Sequence, residues 1–199
     1  GIIGSVIAGA ALGKGSMPRT TSVIGYALMV IGFFTYVTLT PTASYMLFLP
    51  GMIIAATGWM MNATSQGNLF ITLAPAKFYG PVTSSKLAVG QFGYALGLTG
   101  STVMVSMFTL SGVSKATKGA VSGDSNWDSI TSYLATGKTT DTALSAVSTS
   151  DLAGIYTSAF ITTIVIVAVV TAVAGAVMYL LLKNKKASIP VDEFLGLTN

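Results

Sequence analysis

The stretch 160–182, FITTIVIVAVVTAVAGAVMYLLL, decides the fold class, because it is polar only at its threonines and Tyr179. Each helical residue rises about 1.5 Å and a bilayer core is about 30 Å thick, so roughly 20 such residues cross it. Hydrocarbon holds no water to satisfy open backbone groups, which favours a helix. The stretch therefore predicts a transmembrane helix in an all-α membrane protein.

The composition of the whole chain agrees with this prediction. Charged residues make up 8% and hydrophobic residues 52% of the 199 residues, whereas about a quarter of an ordinary soluble domain is charged. The net charge of +4 does not indicate nucleic-acid binding, since the basic residues lie mostly at the ends of apolar segments and form no stripe. We therefore expect most of the chain to be surrounded by lipid.

Several kinds of chemistry are excluded by residue type. The sequence has no Cys and no His, so disulfides, thiolate nucleophiles, zinc clusters and His-based acid–base catalysis are excluded. Ser and Lys are the remaining catalytic types, and no base–nucleophile pair is evident. We predict no enzyme activity, no catalytic residue, no metal and no cofactor.

Five apolar segments organise the chain. They are segment a at 1–12, b at 21–40, c at 44–73, d at 82–110 and e at 153–182. Segment a is too short to cross and begins inside an apolar run, so we expect further N-terminal helices of the same polypeptide before Gly1. The predicted organisation is transmembrane helices over 1–110, an extracellular loop at 111–150, the last transmembrane helix at 151–183 and a cytoplasmic tail at 184–199.

The charges between the segments indicate an orientation. Basic residues are Lys14 and Arg19 between a and b, Lys77 between c and d with Lys86 close behind in the first turn or so of d, and Lys183, Lys185 and Lys186 after e. The b/c connection, 41–43, is uncharged, and the long d/e connection mixes lysines with aspartates. Lys and Arg of short loops collect in the cytoplasm. We therefore expect a multi-pass protein of the cell membrane with a cytoplasmic C-terminus.

The d/e connection leaves two interpretations open. Trp127, Ile130, Tyr133 and Leu134 recur at helical spacing, which predicts a short amphipathic helix on the outer surface. The alternative is an irregular loop that carries a few apolar residues.

Polar residues within segments c and d are the candidate site. Trp59, Asn62 and Gln66 lie along one side of helical segment c, and Gln91 and Tyr94 lie in segment d. Unpaired amides in hydrocarbon cost several kcal/mol, so these faces should meet protein or a water-filled cavity. We interpret the five residues as lining a substrate cavity. The alternative is that they only hydrogen-bond between helices, at roughly 0.6–2 kcal/mol each.

Glycines in segment d form a stripe that predicts close helix packing. Gly90, Gly93, Gly97 and Gly100 are spaced three, four and three residues apart and include a GxxxG. A sliding interface is the alternative use of the stripe. Pro50, Gly51 and Gly58 in segment c would permit a kink.

The stretch 9–19, GAALGKGSMPR, is similar to the cytoplasmic loop motif of the major facilitator superfamily. That motif consists of a glycine, an acidic residue four positions later, and then basic residues. Gly9, Lys14 and Arg19 match that motif, and Gly13 stands at the acidic position. The stretches 73–80, LAPAKFYG, and 90–97, GQFGYALG, resemble the family's short loop and the Gln-Gly-rich helix after it. A long outer loop before a very apolar last helix looks like the fourteen-span drug:proton antiporter branch.

The resemblance implies that segments a to e are the last five helices of a transporter's C-terminal bundle. Segments c and d would line the substrate cavity, with b and e packed outside. The chain would belong to a multidrug or small-molecule exporter working by alternating access. The coupling proton would bind elsewhere, since no carboxylate lies within the hydrophobic part of any predicted span. The alternative is a complete four- to five-span membrane scaffold or interaction protein without transport activity.

Overall fold

The computed structural model describes residues 2–40, 45–121 and 127–182, and throughout these residues the secondary structure is helical, without strands. The helices are α1 (Ile2–Gly13), α2 (Pro18–Phe34), α3 (Phe48–Leu73), α4 (Tyr79–Ala116), α5 (Trp127–Thr136), α6 (Thr142–Ser145) and α7 (Thr149–Leu181). The all-α prediction is confirmed for this part of the chain. The lysines after segment e, the predicted tail and the b/c connection 41–43 lie outside the described residues.

Three helices in the described part of the chain are long and apolar enough to cross a membrane. They are α2 with its 3-10 extension (Pro18–Thr38), α4 and α7. Helix α1 has 12 residues and is too short. Helix α3 has 26 residues but is not among the three, and Asn62, Gln66 and Asn68 interrupt its apolar sequence. The membrane character is thus confirmed, whereas length and composition together support three spans of the expected five.

Helices α1 to α4 and α7 lie side by side in the order α1, α3, α2, α7, α4. This order follows because α3 packs against α1 and α2, and α7 packs against α2 and α4. Helix α2, which the resemblance places outside, lies between α3 and α7 in the described chain. Tyr36, Phe48 and Phe160 join α2, α3 and α7 at one end, with ring centroids 5.6–6.4 Å apart. At the other end, the guanidinium of Arg19 lies 3.9 Å from the ring centre of Tyr179.

Glycines bring α2 and α3 together backbone against backbone. A Cβ on Gly25 would lie 2.6 Å from the carbonyl oxygen of Gly58, and one on Gly32 would lie 2.6 Å from the amide nitrogen of Ala55. Gly51 in turn faces Thr35 and Gly32. Real Cβ atoms are not accommodated at such distances, so only glycine permits this approach. The glycines of α3 that would permit a kink therefore serve a helix contact.

The segment predicted as an extracellular loop folds into a small helical cap, built by residues 113–121 and 127–152. Its buried apolar cluster consists of Val113, Val121, Ile130, Tyr133, Leu144, Val147 and Leu152. The Tyr133 hydroxyl donates to the carbonyl oxygen of Val147 at 3.0 Å, so its one polar group is paired inside the cluster. The cap joins the end of α4 to the start of α7.

The cap explains why two helix boundaries differ from the predicted ones, and it shows which interpretation of the residues around Trp127 is correct. Helix α4 continues to Ala116 instead of ending at Leu110, because Val113 is fully buried in the cap cluster. Helix α7 begins at Thr149, where the Ser148 side chain accepts from the amide of Asp151. The predicted helix around Trp127 is present as α5, and the irregular-loop alternative is wrong.

Candidate functional site

Two of the five cavity candidates are paired with each other. Gln66 Nε2 donates to Asn62 Oδ1 at 3.1 Å, one turn away on α3. Asn62 is buried at 6% exposure, whereas Trp59 is 54% exposed. This hydrogen bond lies within one helix, so it does not join two helices as the alternative interpretation supposed.

The buried amide belongs to a polar cluster where α2 meets α3. A Cβ on Gly25 would lie 3.2 Å from the Cβ of Asn62, which places this amide at the helix contact. Ser65, one turn along α3, is fully buried and donates to the carbonyl oxygen of Met61 at 2.9 Å. Ser22, one turn from Gly25, is also fully buried. Buried polar groups thus lie on both helices where α2 packs against α3.

The Ser22 hydroxyl oxygen and Arg19 Nε are buried without a hydrogen-bond partner in the described part of the chain. The two residues lie three apart on α2, which puts them on one face of that helix. Buried polar atoms in folded proteins nearly always pair with protein or water. The face of α2 that carries both atoms can therefore form further hydrogen bonds.

The two candidates on α4 are exposed. Helix α4 comes near α3 close to its own start, where Lys86 Nζ lies 5.8 Å from the ring centre of Phe70. Gln91 and Tyr94 lie further along, and Tyr94 is 63% exposed. The structure therefore pairs Asn62 with Gln66 and leaves the side chains of Gln91 and Tyr94 on an open surface.

The predicted packing stripe on α4 faces open space. A Cβ on Gly90, Gly93, Gly97 or Gly100 would meet no described atom within 4 Å. Close packing of the stripe stays a prediction about protein beyond the described residues. The close glycine contact that the structure does contain, between α2 and α3, was missed. Its sequence signal is a spacing of seven in each helix, Gly25 to Gly32 and Gly51 to Gly58.

The loop-motif residues lie at the end of the bundle opposite the cap, which we call the basic end. Gly9 meets open space, Lys14 is exposed, and Arg19 contacts Tyr179 near the end of α7. Helices α2 and α3 are antiparallel, since Gly25 meets Gly58 while Gly32 meets Gly51. Lys77 and Lys86, which follow α3, therefore lie at the basic end as well.

A cleft opens between α4 and α7 below the cap. Its volume is about 530 Å³, and Phe108, Asp151, Ile155 and Thr162 are among the residues that line it. It is separate from the Asn62–Gln66 pair. Within the described residues, no group of three or more His, Cys, Asp or Glu side chains could hold a metal ion.

Comparison with known proteins gives no family assignment for this arrangement. No family model, curated protein or solved structure matches the chain. The functional interpretation therefore depends on the polar cluster at the α2–α3 contact, on the distribution of charge between the two ends, and on the motif resemblance.

Proposed function

We propose that this chain forms part of the C-terminal helix bundle of a secondary active transporter. The transporter exports small amphiphilic molecules by alternating access, coupled to protons that bind outside these residues. The observation that carries the proposal is the buried polar cluster of Ser22, Asn62 and Ser65 between apolar helices. Polar side chains at membrane depth commonly mark substrate or ion pathways, because their burial is costly.

The five-helix arrangement belongs to this proposal. Helix α3 has the length of a span, and its polar side chains are tolerated when protein or a water-filled cavity covers them. The unpartnered Ser22 hydroxyl supports a hydrated interior on that side. Gln91 and Tyr94 would face the same interior when further helices of the transporter pack against α4.

Orientation is the first testable part of the proposal. Lys14, Arg19, Lys77 and Lys86 lie at the basic end, whereas the cap end mixes lysines with Asp128, Asp141 and Asp151. The positive-inside rule then puts the basic end, and with it the C-terminus, in the cytoplasm. The sequence has no Cys, so a single introduced Cys gives an unambiguous label.

We expect a membrane-impermeant maleimide to label Thr140→Cys in the cap of intact cells. Ser16→Cys, in the exposed loop before α2, should react only after the membrane is permeabilised. Both positions are exposed, so their reactivity reports the side of the membrane. Labelling of Ser16→Cys alone in intact cells would reverse the orientation.

The cavity assignment is tested in the polypeptide as its gene encodes it. Asn62→Ala and Gln66→Ala each remove one member of the amide pair, and we expect efflux of an amphiphilic dye to fall at least about fivefold at unchanged surface expression. Thr171→Ala is the control, because that hydroxyl donates to the carbonyl oxygen of Val167 within α7 at 2.8 Å. Normal efflux in both amide variants would contradict the assignment of Asn62 and Gln66 to a substrate cavity.

The non-transporting scaffold is the other outcome of the same experiment. A wild-type protein that reaches the surface, keeps its cap folded and exports none of a panel of amphiphilic dyes favours the scaffold. A dye gradient that the wild type builds and that collapses with the proton gradient favours the exporter.

A further inference from the structure

The cleft between α4 and α7 carries a carboxylate at one end and uncharged side chains, both hydroxyl and apolar, along the rest of its length. Asp151 lies at its cap end, and Ser158 and Thr162 lie further along α7. The helix rises about 16 Å from Asp151 to Thr162, since each residue adds about 1.5 Å. Phe108 and Ile155 supply apolar surface between these levels. The cleft is therefore elongated along the helix axis.

The cap end of the cleft lies at the boundary between the membrane and water. Helix α7 has 33 residues, which makes it about 50 Å long against a hydrocarbon core of about 30 Å. Residues 152–182 carry no charge, so Asp151 is the last charged residue before the apolar part of the helix. Trp127 stacks on Tyr156 with ring centroids 6.3 Å apart, and such aromatic residues are enriched at the headgroup level.

The charge of the cleft is negative. Asp151 is exposed, and its Oδ2 accepts from the Ser148 hydroxyl at 2.6 Å. No basic side chain lines the cleft among the described residues. A carboxylate in this setting attracts a cation that can also donate hydrogen bonds to it.

We propose that the cleft binds one phospholipid with a primary ammonium headgroup, taken from the leaflet at the cap end. The ammonium group lies on Asp151, and an acyl chain follows α7 past Ile155 toward Thr162 while packing against Phe108. A lipid fits better than a water-soluble ligand, because the cleft is open along its side and carries its only charge at the cap end. The inference needs the membrane location of α4 and α7 and is independent of transport.

Native mass spectrometry of the natural polypeptide in maltoside micelles tests this proposal. Phosphatidylethanolamine and phosphatidylglycerol of identical acyl chains are added in equal amounts, and bound lipid is counted per chain. We expect one phosphatidylethanolamine to be retained per chain. It should be favoured over phosphatidylglycerol by about two- to fivefold, which is the contribution of an ion pair near water. Asp151→Asn should remove this preference while its amide oxygen still accepts from Ser148.

A second variant fills the cleft. Gly154 lines it, and a Cβ there would meet no described atom within 4 Å, so Gly154→Leu fits the helix and occupies the lipid position. We expect this variant to lose the retained lipid. Gly80→Leu is the matched control, because that glycine also meets no described atom within 4 Å but lies outside the cleft and outside the glycine stripe of α4. Asp128→Asn controls for the loss of one carboxylate at the cap end.

Two results overturn the proposal. One is equal retention of both lipids by the wild type, which assigns the bound lipid to the general membrane-facing surface. The other is unchanged retention in Gly154→Leu, which moves the lipid away from this cleft. A Gly154→Leu protein with the wild-type melting temperature shows that the loss of lipid is not a loss of fold.

Discussion

Gly25→Ala is expected to destabilise the bundle, although alanine is the better helix former. The added Cβ would lie 2.6 Å from the carbonyl oxygen of Gly58 and 3.0 Å from the amide nitrogen of Asn62. Both are backbone atoms, which cannot move aside as the end of a side chain can. Overpacking of this kind costs typically 1–3 kcal/mol, and here it comes with displacement of the buried Asn62. Thermal unfolding in detergent measures the change.

Gly80→Ala makes the same substitution near the start of α4, outside the glycine stripe, where a Cβ meets no described atom within 4 Å. Alanine in a helix is favoured over glycine by up to about 1 kcal/mol, so this variant should melt at the same temperature or higher. The two substitutions are thus predicted to change stability in opposite directions. A Gly25→Ala protein as stable as Gly80→Ala would contradict the backbone contact between α2 and α3.

Leu144→Ala is expected to unfold the cap while the transmembrane helices stay folded. Leu144 is 1% exposed and belongs to the cap cluster, and truncation of such a residue costs about 2–5 kcal/mol. Its backbone amide donates to the Asp141 carboxylate at 3.3 Å, and alanine keeps that hydrogen bond, so the loss is confined to the buried side chain. Opening of the cap should therefore become at least about 30-fold more frequent, from the lower limit of that cost.

Tryptic cleavage after Lys138 measures this opening, since that lysine is exposed in the cap between α5 and α6. Cleavage of Leu144→Ala should accelerate in proportion to the open population. Leu98→Ala is the control, because Leu98 is 58% exposed on α4. Equal cleavage of the two variants would show that residues 127–152 are an open loop.

A folded cap changes the interpretation of the long connection. Its cluster joins Val113 of α4 to Leu152 of α7, so the ends of these two helices are held together. The first half of α4, with Gln91, Tyr94 and the glycine stripe, is by contrast exposed. In the proposed transporter, the partner of that half is the remaining part of the bundle.

Local sequence properties establish where the helices form and that they belong in a membrane. Hydropathy over 160–182 and the helical spacing of Trp127, Ile130 and Tyr133 are local properties of the chain, and a helix satisfies its backbone within itself. The predicted segments b to e thus correspond to α2, α3, α4 and α7. The end of α4 was placed too early because its last turn is fixed by the cap.

Contacts between helices settle which small residues touch and which polar residues are buried. Gly25 and Gly97 look equally suited to packing in sequence, yet one meets a backbone carbonyl and the other meets open space. Asn62 and Gln91 are both amides within long helices, and only Asn62 lies against a neighbouring helix. Such contacts depend on the rotation of one helix against another, which is set by packing between residues distant in sequence.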